Sequence, residues 1–226
     1  AQESRGLGDV YKRQIQDRMA ELAQKFSENA LDSTDAYAHY AGESEVEGIP
    51  GDALEAAAEG AKADGREGYK FTLKLPSYLP VMQYARSSAL RETLYRAYAT
   101  RASELAEGDA VKFDNTAIVR EILALRHEEA QLLGYPDFAT VSVVPKMAES
   151  PEQVITFLRD LATRARPYAL QDLADLREFA AQELGLPDPQ PWDWPYVGEK
   201  LKEARYSFSD QAVSYTHLTL PTTPYV

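Results

Sequence analysis

The chain contains no cysteine, so disulfides and thiolate metal sites are excluded within it, and a reducing cytoplasm is the compartment it fits. Histidine is nearly as scarce: His39, His127 and His217 are the whole supply. The only asparagines, Asn29 and Asn115, do not open an N-x-[ST] sequon. No run approaches the ~18 consecutive apolar residues of a membrane helix. Lys and Arg number 24 against 36 Asp and Glu, a formal charge of −12. An acidic chain repels phosphate backbones, and this one lacks the polybasic face of a membrane-surface protein. Neither nucleic acid nor a membrane is an expected partner. No P-loop, Rossmann fingerprint or nucleophile elbow occurs, and no repeat of fixed period emerges.

What is present begins at the two ends. Asp9-Val10-Tyr11-Lys12-Arg13-Gln14 can be encoded by GAT GTG TAT AAG AGA CAG. Its complementary strand, in another frame, encodes Val213-Ser214-Tyr215-Thr216-His217. That sequence resembles the end repeat left by transposases in sequencing libraries, and the flanks Ser4–Gly8 and Leu218–Thr222 fit the library adapters. Residues 1–14 and 213–226 are therefore expected to be translated adapter and not part of the natural fold. They should not pack into a core, even at Val10, Tyr11, Tyr215 and Leu218. About 197 residues then remain, Ile15 to about Gln211, enough for one large domain or parts of two. Residues 1–14 contribute +1 (Arg5, Lys12 and Arg13 against Glu3 and Asp9) and residues 213–226 contribute nothing, so the interior carries −13. A stretch cut from a longer gene can lack a catalytic motif and still come from an enzyme.

The dominant period is helical. Met19, Leu22 and Phe26 place an apolar stripe on a first helix, and residues 52–64 read as a second after a loop from Gly42 to Gly51. Tyr69, Phe71, Leu73 and Leu75 alternate with polar residues, which predicts one strand over 69–75, ended by Pro76. Leu90, Leu94, Tyr98 and Leu105 predict a helix over 87–106, broken at Gly108 and Asp109. Asp114 or Asn115 can cap the next helix, whose apolar face is Ile118, Val119, Ile122, Leu123, Ala130 and Leu133, with a stop at Gly134 and Pro136. Ser150-Pro151-Glu152-Gln153 reads as a capping box with proline at N1. The stripe Val154, Phe157, Leu158, Leu161 resumes as Leu173, Leu176, Phe179, Ala180 and Leu184, with a break expected near Ala165 because of Pro167. Asp193 can cap a last helix to about Tyr206. The fold class is mainly α, with at most one short strand or hairpin.

His127-Glu128-Glu129-Ala130-Gln131 comes close to the zinc motif H-E-x-x-H, in which two imidazoles four residues apart share one ion. Gln131 stands where the second histidine is needed, and its amide is a poor zinc ligand. His127 is expected to be a helix side chain paired with a carboxylate. Acid pairs such as Glu128/Glu129 and Asp172/Asp175 fit a solvated helix face better than a glycosidase or cation site. Tyr84, Tyr95 and Tyr98 with Arg96 and Arg101 fit either a polar, aromatic substrate surface or, more simply, core packing with hydroxyls at the rim.

Several stretches carry a resemblance when taken in order. They are Leu75–Met82, Leu90–Ser103, Asp114-Asn115, Ile122–Glu128, Leu132–Tyr135, Lys146–Glu149, Arg164–Pro167, Gln190–Asp193 and Tyr206-Ser207. Together they resemble the oligopeptidase A-like branch of the thimet oligopeptidase family of zinc metallopeptidases, from about Phe26 to Ser209. The resemblance implies a helical, cytoplasmic zinc enzyme that cleaves short peptides in a deep channel. It implies a zinc held by the two histidines of H-E-x-x-H and a later glutamate, with the glutamate inside the motif activating water. All of that lies downstream of this stretch, so no catalytic, cofactor-binding or metal residue is carried over. The resemblance divides the chain into the end of an N-terminal helical region (15–75) and the helical start of a peptidase domain (76–212), which would supply part of the channel wall. The alternatives are a helical binding or scaffold module without chemistry and, within the same family, a dipeptidyl carboxypeptidase.

Overall fold

A computed structural model describes residues 2–206. Its elements are mostly helices: α1 (Gln2–Asp35), α2 (Gly51–Ala63), α3 (Leu75–Tyr84), α4 (Ser88–Ala99), α5 (Thr116–Leu132), α6 (Phe138–Val143), α7 (Pro151–Glu183) and α8 (Trp194–Tyr206). Two three-residue strands, β1 (His39–Ala41) and β2 (Tyr69–Phe71), pair antiparallel with Tyr40 opposite Lys70. The mainly helical fold class expected from the sequence therefore holds among the described residues. The chain divides into two compact units, residues 2–36 with 100–170, and residues 37–99 with 171–206. The boundary expected at 75/76 falls inside the second unit, whose core draws on both sides of it.

In the first unit α1 lies along α5. Within residues 9–35 of α1 the buried ones are Ile15, Leu22, Asn29 and Ser33. Residues 15, 22 and 29 are two turns apart, so they form one seam. Phe26, expected on that seam, is 41% exposed; its backbone carbonyl instead accepts from Asn115 Nδ2 at 3.0 Å. Asn29 Nδ2 donates to Asn115 Oδ1 at 2.8 Å, so two buried amides satisfy each other across the helix pair. Of the two residues expected to cap α5, Asp114 and Asn115, the second is thereby engaged elsewhere. Asn115 occupies the N-cap position but turns its side chain inward, and Asp114 Oδ1 accepts from Thr116 N at 2.8 Å. Val10 and Tyr11 are exposed, while Tyr215 and Leu218 lie outside the described residues.

The helix expected over 87–106 ends at Ala99. Ser103 Oγ donates to Thr100 O at 2.8 Å and accepts from Leu105 N at 3.2 Å, a local arrangement that competes with helical pairing. Ala102 has φ 48°, held by its N–H on Ser33 Oγ and its carbonyl on Asn115 N. Leu105, expected on the apolar side, is exposed as a result.

The second unit has a core of Val46, Phe71, Leu73, Val81, Met82, Leu90 and Leu94 among others. The strand expected over 69–75 stops at Phe71 because Leu75-Pro76 opens α3, where proline suits the first turn. Ser77 Oγ then accepts from Thr72 N at 3.0 Å. The partner strand β1 was not expected from the sequence. Gly68 enters β2 at φ 91° with Ala41 O so close that a Cβ there would sit 2.6 Å from it, so only glycine fits.

The start of α7 agrees with the sequence: Ser150 Oγ accepts from Gln153 N at 3.2 Å. Gln153 Oε1 reaches back one residue further than a capping box requires, to Glu149 N at 2.8 Å. The break expected near Ala165 is absent. α7 runs unbroken for 33 residues with Pro167 inside it. Proline removes one N–H, and residues 161–171 are exposed, so the carbonyl it leaves unpaired can be satisfied by water.

Two stability effects follow from these local structures. Replacing Ala102 with glycine removes a left-handed strain of ~1–2 kcal/mol against a glycine entropy cost of ~0.5–1 kcal/mol. Ala102→Gly is therefore expected to raise the urea midpoint slightly. The second concerns Asp64, which accepts from Lys70 Nζ at 2.6 Å and from Tyr40 OH at 2.6 Å. The Lys70 ammonium, then the Tyr40 hydroxyl, holds this carboxyl below the usual range. A depressed folded pKa adds stability above the ordinary carboxylate value of ~4 and loses it as pH falls through the folded value. Asp64→Asn should flatten the acid limb of stability against pH, read from urea midpoints between pH 7 and pH 3.

Candidate functional site

The most elaborate polar constellation lies in the second unit, where α4 meets the residues leading into α8. Arg91 is fully buried on α4, and the Asp193 side chain is 3% exposed. Arg91 Nη2 donates to Asp193 Oδ1 at 2.6 Å. Arg91 Nη1 donates to the carbonyls of Ala85 and, at 3.3 Å, Arg86. The guanidinium carbon lies 4.4 Å from the Tyr196 ring centroid. Asp193 also accepts from Ser88 Oγ at 2.7 Å and from Gln190 N at 2.9 Å. Trp192 Nε1 donates to Ser88 Oγ at 3.0 Å. Asp193 was expected to cap α8; its carboxylate turns instead to Arg91, Ser88 and Gln190, because a buried guanidinium demands a counter-charge more strongly than a helix end does. A buried Tyr84–Glu199 bond of 3.0 Å links α3 to α8 beside it.

Chemically, this arrangement clamps. Ser88 contacts a carboxylate with no imidazole between them, so nothing prepares it as a nucleophile. Arg91 offers only N–H donors and no acceptor, so it cannot act as a base. At the rim, Arg96 stands 5.2 Å over Trp192, and Tyr95 lies 6.2 Å from the same ring. Tyr78 and Tyr98 stack at 4.3 Å. Of the five expected Tyr and Arg residues, Tyr95 and Arg96 share this rim. Tyr98 packs against the core, and Tyr84 is buried on Glu199. Arg101 belongs to the other unit, where Nη1 donates to Thr34 Oγ1 at 3.3 Å. Core packing describes the tyrosines, but the Tyr84 hydroxyl is buried on Glu199 and does not sit at the rim.

The near-zinc stretch on α5 has other roles. His127 is exposed and has no hydrogen bond or ion pair among the described residues, so the carboxylate partner expected for it is absent. Glu128 accepts from Tyr11 OH, and Glu129, buried, accepts from Gln16 Nε2 at 2.8 Å. Gln131 Nε2 donates to Tyr135 O at 3.3 Å and Pro136 O at 3.4 Å, closing the end of α5. His39 lies in the other unit. Among the described residues no three His, Asp or Glu side chains converge as metal ligands, so this donor set does not fit zinc. Asp175 is an ion-pair partner of Arg205 at 2.8 Å, and that guanidinium, then the Gln171 amide, holds its carboxyl below the usual range.

The sequence did not point to the Arg91–Asp193 pair. The two residues sit in Leu90–Ser103 and Gln190–Asp193, stretches quoted above for their resemblance, and a basic residue in one with an acidic residue in the other was the only available hint.

A profile of Peptidase family M3 matches residues 81–223. Oligopeptidase A of Salmonella typhimurium and that of Escherichia coli are each 50% identical to the chain over 199 residues, 88% of this chain and 29% of theirs. Dipeptidyl carboxypeptidase of Escherichia coli is 30% identical over 155 residues, 68% of this chain and 22% of its own. The chain thus spans less than a third of the length of these relatives. No helix among the described residues is long and apolar enough to cross a membrane.

Removing one member of the buried pair leaves the other charge uncompensated, which typically costs ~3–5 kcal/mol. Arg91→Met and Asp193→Asn are each expected to lower the unfolding free energy by that order, seen as a lower urea midpoint. The double variant should recover part of the loss, the coupling being read from the double-mutant cycle.

Proposed function

The chain belongs to peptidase family M3, and from that premise we propose that it is part of a zinc-dependent oligopeptidase that hydrolyses short peptides in the cytoplasm. Within that enzyme it supplies helical scaffold and a portion of the channel wall. Residues 15–75 end the N-terminal helical region and residues 76–212 begin the peptidase domain, with residues 1–14 and 213–226 as translated adapter. The zinc ligands and the water-activating glutamate belong to a part of the parent beyond this chain, and the chain alone is inactive. The observation that carries the oligopeptidase A assignment is 50% identity over 199 residues to proteins of that name. The lower identity to dipeptidyl carboxypeptidase, 30%, makes that sibling the second choice.

Supporting inactivity, Gln131 is tied to loop carbonyls and Glu129 is buried on Gln16, so neither is placed to share an ion with His127. Lowering the pKa of a bound water toward ~7 needs about three well-placed protein ligands. The purified 226-residue chain, supplied with zinc, is expected to leave a quenched-fluorescent peptide uncleaved. Zinc-dependent turnover that a chelator and His127→Ala both abolish would place a catalytic site inside the chain and end this reading. Extending the gene downstream should reveal H-E-x-x-H followed by a ligand glutamate; a helical scaffold module would lack both.

A further inference from the structure

The first half of α7 is strongly amphipathic. Val154, Phe157, Leu158, Leu161, Ala165 and Tyr168 fall within a stripe about 100° wide, the width that faces a core on a globular-protein helix. Yet Phe157 is 61% exposed, Leu158 55%, Leu161 48% and Tyr168 76%. Further along the same helix the apolar side is covered: Leu173, Leu176 and Phe179 are half-buried and Ala180 is fully buried. One helix thus carries a partnered and an unpartnered length of apolar face.

Resting on the reading of this chain as part of a longer peptidase, we propose that the stripe 154–168 docks a helix of the same parent polypeptide, from the portion that this chain does not contain. One observation selects that occupant. The relatives that match this chain extend over more than three times its matched length, so most of the polypeptide available to cover the stripe lies outside it. A contiguous apolar surface of this kind marks a contact site.

The absence of cysteine makes the test direct. Leu158→Cys on the stripe and Thr163→Cys on the opposite face are placed separately in the 226-residue chain. Each is also placed in a chimera in which the matched residues of this chain replace the 199-residue stretch of the Escherichia coli relative. Maleimide labelling is followed site by site by mass spectrometry. In the free chain both thiols should react at similar rates. In the chimera the Leu158→Cys thiol should react at least about tenfold more slowly, with the Thr163→Cys thiol unchanged. Leu158→Asp should lower the Tm of the chimera and leave that of the free chain unaltered. Equal labelling of the two thiols in the chimera, with no Tm effect of Leu158→Asp, overturns the proposal. So does protection in the free chain that grows with concentration, which would make a second copy the occupant. Peptide cleavage by the chimera is read separately. A protected thiol without zinc-dependent cleavage leaves the docking and removes the peptidase reading; cleavage with an unprotected thiol does the reverse.

Discussion

The second unit depends on one buried ion pair. Arg91 has no solvent exposure and Asp193 almost none, so both charges have lost their hydration, at a cost of several kcal/mol each. Their attraction, the carbonyls of Ala85 and Arg86, Ser88 Oγ, Gln190 N and the Tyr196 ring offset that cost together. Such a pair contributes little net stability over an apolar core of the same shape. Its effect is to forbid other arrangements, because any register that parts the two residues leaves a bare charge inside. Residues 37–99 and 171–206 are far apart in sequence, and this contact fixes how α4 and the entrance to α8 meet within their shared core.

The first unit uses a neutral version of the same device. Asn29 and Asn115 bond each other between α1 and α5, and Asn115 also takes the Phe26 carbonyl. Neither amide could be buried alone without an unsatisfied group costing ~1–3 kcal/mol. The requirement extends to the backbone: Ala102 holds a left-handed conformation because Ser33 and Asn115 engage its N–H and carbonyl. α7 presents the opposite case, an apolar stripe whose second half is covered and whose first half is not.

Most of the helices were legible because their signals are local. The Ser150-Pro151 start of α7 and the Gly134 stop of α5 are set by caps, and both appear where the sequence placed them. The errors came where solvent or a distant partner decided. Pro167 failed to interrupt α7, since on an exposed helix its lost bond can be replaced by water. Beyond Ala99, where α4 ends, Ala102 takes a left-handed turn held by Ser33 and Asn115. β1 has only three residues and no alternation long enough to read; it exists because β2 lies beside it. At the candidate site, the weakness of the zinc motif was visible in Gln131 itself, but its role in closing the end of α5 was not.

The sequence by itself determined the helical class, the family and the unsuitability of His127-Glu128-Glu129-Ala130-Gln131 as a zinc motif, because periodicity, ordered motifs and residue chemistry are all properties of a line of residues. Tertiary structure alone decided which polar residues became internal ties. Asp193 reads as a helix cap and Asn115, beside Asp114, as a candidate for another, and Asp193 and Asn115 each became a buried partner of a residue about a hundred, or nearly ninety, positions away. A cap and a core ion pair use the same carboxylate, and the sequence carries no sign of which donor will reach it. Desolvation makes that choice, since a buried guanidinium or amide has only the partners that folding brings to it, whereas a helix end near the surface can turn to water.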